Sequence, residues 1–318
     1  MKRIYLLLTL LVSINTTFSQ KKDYSRIDDL VQKLGSLENQ NVATIADTIT
    51  RNLPEKEQKA RAVFYWIANN IAIDPKETKS NDKKNTLPED VVRLRKTTPL
   101  GFSLLVQEMC SLANIRCLSV DGYTKFSAAD IGNPADEVNH SWNVVQLGQS
   151  PDQWFYIDAA KASGFTDSKM TTFTKQFTGE YFFTDKVLFN LDHYADNQAW
   201  QLGAGPKSER DFYALPIISN AAYKLGLQKP QPANGHIKTN PKNNVRFNFT
   251  YTNTSTVIKN IFIVIGEEKK QMKPVEVTFS DTGGSVSFNY QFKIPGSYPV
   301  KIVVDGETLL QYFVDSED

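Results

Sequence analysis

Two residues in this chain have the types and the setting for acid–base work: His140, in Asn139-His140-Ser141-Trp142-Asn143, and Asp158, which closes Trp154-Phe155-Tyr156-Ile157-Asp158. The runs that carry them are strand-like, and Gly148-Gln149-Ser150-Pro151-Asp152 between them has the composition of a turn. A hairpin centred near Gln149 sets His140 and Asp158 almost opposite each other. Alternation then puts His140, Trp142, Tyr156 and Asp158 on one face. A carboxylate that fixes the tautomer of an imidazole makes a general base, and such a base needs a nucleophile or a water to act on. The same pair, buried and satisfied, also serves simply to join two strands. Metal chemistry finds no support, because His140, His193 and His236 show no ligand spacing. No Gly-rich phosphate loop follows a strand, so no cofactor is expected.

The elements that must position this pair come from periodicity and punctuation. Residues 24–34 and 41–51 read as short amphipathic helices. A stronger one is expected to start at Pro54, with Ala60, Val63, Phe64, Ile67 and Ile71 as its core stripe and Trp66 beside it. Residues 74–89 are polar, lysine-rich and broken by Pro75 and Pro88, which reads as an exposed loop leading to a short helix. A central helix is expected over residues 99–113, burying Phe102, Leu105, Val106 and Met109, and a strand over 117–125. Residues 208–225 look helical. Residues 228–235, with Pro230, Pro232 and Gly235, have a linker's composition. Beyond them the pattern becomes short alternating strands separated by turns such as Asp305-Gly306, the mark of an antiparallel β-sandwich of immunoglobulin-like type.

The run Pro99-Leu100-Gly101-Phe102-Ser103-Leu104-Leu105, with Gly122-Tyr123 further on, resembles the nucleophile region of the transglutaminase-like superfamily, whose fold is papain-like. There the pattern is Cys-x-Gly-[Tyr/Phe]-[Ala/Ser]-x-Leu. His140 with Trp142 and Asn143, and Asp158 with Trp154, resemble the motifs of the other two triad members. Lys59-Ala60-Arg61-Ala62-Val63-Phe64-Tyr65-Trp66-Ile67-Ala68-Asn69-Asn70-Ile71, and Trp200-Gln201-Leu202 after His193, are similar to signatures of the kyphoscoliosis-peptidase branch. The resemblance covers roughly residues 25–225. It implies a cysteine nucleophile where this chain has Pro99, with His140 and Asp158 as the retained partners. It also implies that Trp142 and Asn143 line whatever groove survives and that Trp66 packs beside it, although core packing is the favoured reading for a lone Trp such as Trp66.

A thiolate at a helix start is activated by the helix dipole and a neighbouring imidazolium. Proline keeps the geometry of that start, but cannot attack a carbonyl and has no amide to donate to an oxyanion. Cys110 stands eleven residues further along the same helix, ~16 Å away. Thr98 reads as the helix cap and Ser103 as facing a neighbouring turn. With no nucleophile, the structural reading of His140 and Asp158 is favoured.

Composition adds bounds. At 318 residues, two domains are the first expectation, and 41% hydrophobic and 11% aromatic content are ordinary for a globular chain. A formal net charge of +1 without a basic stripe excludes nucleic acid as an electrostatic partner. Lys2 and Arg3, the apolar run from Ile4 to Val12 and Thr17-Phe18-Ser19 read as a secretory signal peptide cleaved after Ser19. The run is shorter than the ~20 residues of a membrane anchor. In an oxidising compartment Cys110 and Cys117, the only cysteines, are a candidate disulfide; two packed thiols are the equal alternative.

The expectation is therefore an α+β chain: signal peptide 1–19, transglutaminase-like (papain-like) core domain 20–227, linker 228–235 and β-sandwich domain 236–318. Its function is that of an exported, catalytically inactive protein, secreted or periplasmic in a bacterial envelope, that binds a protein or cell-envelope component. No membrane span and no cofactor is expected. The alternative is an active cysteine-type peptidase or transglutaminase with a non-standard nucleophile.

Overall fold

The computed structural model describes residues 22–317 apart from 81–83, 151–152, 168 and 268–269. The expected signal peptide, and Pro151-Asp152 of the hairpin turn, lie outside the described residues.

The chain begins with three helices, α1 (Ser25–Leu34), α2 (Val42–Thr50) and α3 (Lys56–Asn70). Asn41 caps α2 by accepting the Thr44 N–H. Pro54 stands before α3, whose N-cap is Glu55, and not in its first turn. α3 is buried more widely than a single stripe, taking in Arg61, Ala62, Trp66 and Ala68 as well. Arg61 survives burial because Asp28 of α1 accepts from its Nε and Nη2 at 2.8 and 2.7 Å, so the pair fastens α1 to α3.

Strand β1 (Ala72–Ile73) and β2 (Lys96–Thr97) pair in parallel around α4 (Pro75–Lys79) and α5 (Pro88–Leu94). The polar segment expected as a loop thus contains a helix. α4 has no apolar stripe to betray it; it stands on Pro75 in its first turn and on Asp74, which accepts the N–H groups of Lys76 and Glu77.

Helix α6 (Pro99–Leu112) packs on a four-stranded antiparallel sheet. Its strands are β3 (Arg116–Tyr123), β4 (His140–Gln146) and β5 (Trp154–Ile157). α7 (Ala159–Ser163) follows at once, then the hairpin of β6 (Gly164–Thr166) and β7 (Phe173–Lys175), and α8 (Lys186–Asp192), which delivers β8 (Tyr194–Ala195) to the sheet edge beside β3.

The single helix expected over residues 208–225 is instead α9 (Glu209–Ala214), β9 (Ile217–Ile218) and α10 (Asn220–Leu225). Pro216, lacking an N–H, breaks the helical ladder between them. Residues 228–235, read as a linker, begin as a strand. β10 (Leu227–Gln231) pairs with β12 (Asn244–Tyr251), and β11 (His236–Thr239) follows it.

β13 (Ile261–Ile265), β14 (Val275–Glu276), β15 (Ser280–Asp281), β16 (Ser285–Gln291), β17 (Gly296–Val304) and β18 (Glu307–Ser316) complete two sheets. One is ordered β10-β12-β16-β15. The other is β11-β18-β17-β13-β14, with β9 added on β18. Phe247 of β12 and Tyr312 of β18 meet across them at 5.5 Å between ring centroids, the packing of a β-sandwich. Through β9 and α10, which rests on β18, one hydrophobic core continues from the helical half into the sandwich.

Candidate functional site

The helix start and the hairpin that the family motif requires are both present. Pro99 is the first residue of α6 and is buried. Its ring suits that position, where an N–H would have no intrahelical acceptor. Val144 pairs with Tyr156 across β4 and β5, so His140, Trp142, Tyr156 and Asp158 share the sheet face expected of them. Asp158 leaves β5 as the N-cap of α7, its Oδ1 accepting the Lys161 N–H at 2.9 Å. That cap aims the carboxylate's other oxygen at the imidazole.

His140 Nε2 donates to Asp158 Oδ2 at 2.6 Å, and both side chains are buried. His193, at the end of α8, was not singled out for this site by the sequence. Its Nε2 lies 3.0 Å from the same Oδ2. The carboxylate only accepts, so both rings face it with an N–H. Burial works against the Asp158 charge, yet the two imidazoles beside it hold its carboxyl well below the usual carboxylate range. Burial, helped by the charge of Lys161, pushes His193 down to about 4. In a His–Asp pair the ring nitrogen turned away from the carboxylate is the one that takes a nucleophile's proton. Here that atom, His140 Nδ1, is buried and has no hydrogen-bond partner among the described residues; neither do Thr98 Oγ1 and Trp142 Nε1.

A second polar cluster backs the first. Asp192 Oδ1 accepts from Lys161 Nζ at 2.8 Å, and its Oδ2 accepts from Tyr223 of α10 at 2.9 Å and from Tyr181 at 3.4 Å. Lys161 Nζ also donates to Thr124 Oγ1 at 2.6 Å. This cluster ties the pair to α10, and through it to the sandwich.

The other residues picked from the sequence fall as follows. Trp66, Trp142 and Asn143 are 0, 2 and 1% exposed, so they line no open groove. Trp66 lies under Arg95, whose guanidinium is 5.1 Å from its ring. Trp142 stacks on His140 at 6.2 Å. Asn143 donates to the Ser103 carbonyl at 2.9 Å and so fastens β4 to α6. Thr98 occupies the N-cap position but makes no side-chain cap bond. Ser103 donates to the Leu100 carbonyl at 2.9 Å. Cys110 and Cys117 are buried free thiols.

The sequence showed no metal-ligand spacing, but among the described residues the fold gathers one set: one donor atom each from His140, Asp158 and His193 lies within 4.8 Å of the others. Their 2.6 and 3.0 Å separations are hydrogen-bond lengths. A cleft of about 500 Å³ opens far along the chain, in the sandwich, between β11 and residues 243–245. No described helix is long and apolar enough to cross a membrane.

A family model for the transglutaminase-like superfamily matches residues 43–159, a span that includes Pro99, His140 and Asp158. The chain is 31% identical over 183 residues to kyphoscoliosis peptidase of Mus musculus and 32% identical to that of Homo sapiens. Each match covers 57% of this chain and 27% of the relative, so the shared part is about a quarter of those proteins. Hillarin of Drosophila melanogaster is 24% identical over 186 residues, 54% of this chain and 22% of its own. With a buried His–Asp pair on the expected strands, a helix start at position 99 and relatives of this kind, the chain carries a transglutaminase-like domain similar to that of the kyphoscoliosis peptidases.

Proposed function

We propose that this chain is an exported, catalytically inactive member of its superfamily that works by binding a polypeptide or cell-envelope partner. One observation carries the inactivity: the family's nucleophile position is Pro99, the first residue of α6. Its ring nitrogen bears no proton, has no lone pair free to attack and offers no N–H to an oxyanion. Removing the nucleophile of a triad enzyme lowers turnover on the order of a millionfold. What remains, His140 with Asp158 and His193, is closed in the core, where the shared carboxylate holds β4, α7 and the end of α8 together. The apolar run near Met1 supports export, and loss of chemistry with retention of the fold supports a binding role.

The rival reading is acyl transfer from another nucleophile, and the unpartnered hydroxyl of Thr98, beside Pro99, is its one support. The purified chain is assayed for peptide hydrolysis and for incorporation of a fluorescent primary amine into a glutamine-containing protein. No turnover above the His140→Ala variant is expected. Turnover that His140→Ala or Thr98→Ala abolishes would establish the rival.

A further inference from the structure

Helix α6 and strand β3 run back to back across one short turn, in which the Ile115 N–H donates to the Cys110 carbonyl at 2.9 Å. Two contacts at Ser119 set their register: its hydroxyl meets that of Ser103 at 2.7 Å, and its N–H donates to Gln107 Oε1 at 2.6 Å. From Ser103, two helical turns toward the connection return to the same face at Cys110. From Ser119, two residues toward the connection return to the same face at Cys117. Those steps are about 10 Å along the helix and about 7 Å along the strand, so the two thiols end on facing surfaces. They meet there, with the side chain of Asn143 against Cys117 as well. Both are buried, Cys110 at 0% and Cys117 at 7% exposure.

We propose that Cys110 and Cys117 form a disulfide by exchange with an external disulfide such as oxidised glutathione. One thiolate attacks a sulfur of glutathione disulfide and releases one glutathione thiolate. The second cysteine thiolate then attacks the mixed disulfide and releases the other. Two electrons pass to glutathione, and the two cysteine protons end on the released thiolates or in solvent. The bond would staple the last turn of α6 to the start of β3. Those are the elements that carry Pro99 and flank the strand of His140. Buried thiols meet an oxidant slowly, and burial pushes the Cys117 thiol up, so exchange is fastest while the chain is folding.

The full chain is denatured, reduced, refolded in a buffer of reduced and oxidised glutathione, alkylated with iodoacetamide under denaturing conditions and weighed intact. The expected product is about 2 Da lighter than the reduced chain and carries no alkyl group. Its Tm is about 5 °C above that of the same chain held reduced, and Cys117→Ser removes the difference. Two alkyl groups, or a lone glutathione adduct, would overturn the proposal. So would a cross-linked chain that melts no higher than Cys117→Ser, since its native geometry would then resist the bond.

Discussion

At the scale of single residues, the proposed inactivity rests on Pro99 at the start of α6, with His140 and Asp158 hydrogen-bonded on the sheet that α6 packs against. A thiol at position 99 therefore tests that reading directly. Pro99→Cys puts a thiol at the start of α6, within a scaffold that retains His140 and Asp158. Its alkylation by iodoacetamide at pH 6 is expected to run about tenfold faster than that of the same buried thiol in a chain that also carries His140→Ala. Equal rates with and without His140 would show that the imidazole does not serve position 99.

At the scale of elements, the site depends on how closely β3 can pass β8 and the indole of Trp142. Gly122 lies at that crossing. A Cβ there would meet the Tyr194 carbonyl oxygen and come within 2.6 Å of Trp142 Cη2. Backbone on one side and a buried indole stacked on His140 on the other leave nothing soft to yield. Gly122→Ala is expected to destabilise by about 1–3 kcal/mol, the cost of overpacking a filled core. A lowered urea midpoint would record it. An unchanged midpoint would mean that β8 shifts freely and does not hold His193 in register. The Gly-Tyr pair was visible in the sequence as part of a motif; its steric reason was not, because Tyr194 is remote along the chain.

At the scale of the whole molecule, buried His193 and the carboxylates of Asp158 and Asp192 make stability depend on pH. Burial lowers His193 from an ordinary value of 6.5 to about 4. Between those values the unfolded chain binds a proton that the folded chain refuses. Stability is therefore full above about pH 6.5 and falls as the pH drops toward 4, by on the order of 3 kcal/mol. Asp158 and Asp192, both held below the usual carboxylate range, add their losses at still lower pH. Urea midpoints from pH 7 to 4.5 should fall for the native chain and stay flatter for His193→Gln. Parallel profiles would show that His193 binds its proton equally in the folded and unfolded chain, with no depression by burial. The network continues through Asp192 to Tyr223 and α10, so the sandwich shares in this acid sensitivity.

The motifs around positions 99, 140 and 158 carried the transglutaminase-like likeness, the helix start and the hairpin face, and the alternation and turns beyond residue 236 carried the strands of the C-terminal half, because each is a local pattern of period or punctuation. What the chain could not declare locally is everything set by distant contact. Two imidazoles meet on one carboxylate because α8 returns to β3, and Tyr223 closes the cluster from α10. Residues 228–235 carry a linker's prolines, yet Leu227–Gln231 became a strand because β12 offered it a partner. Trp66 is in the core, the expectation for a lone Trp beside the stripe of α3, and Trp142 and Asn143, read as lining a groove, are buried with it. Side-chain type and spacing name a candidate; only the tertiary structure decides what it faces and whether solvent reaches it.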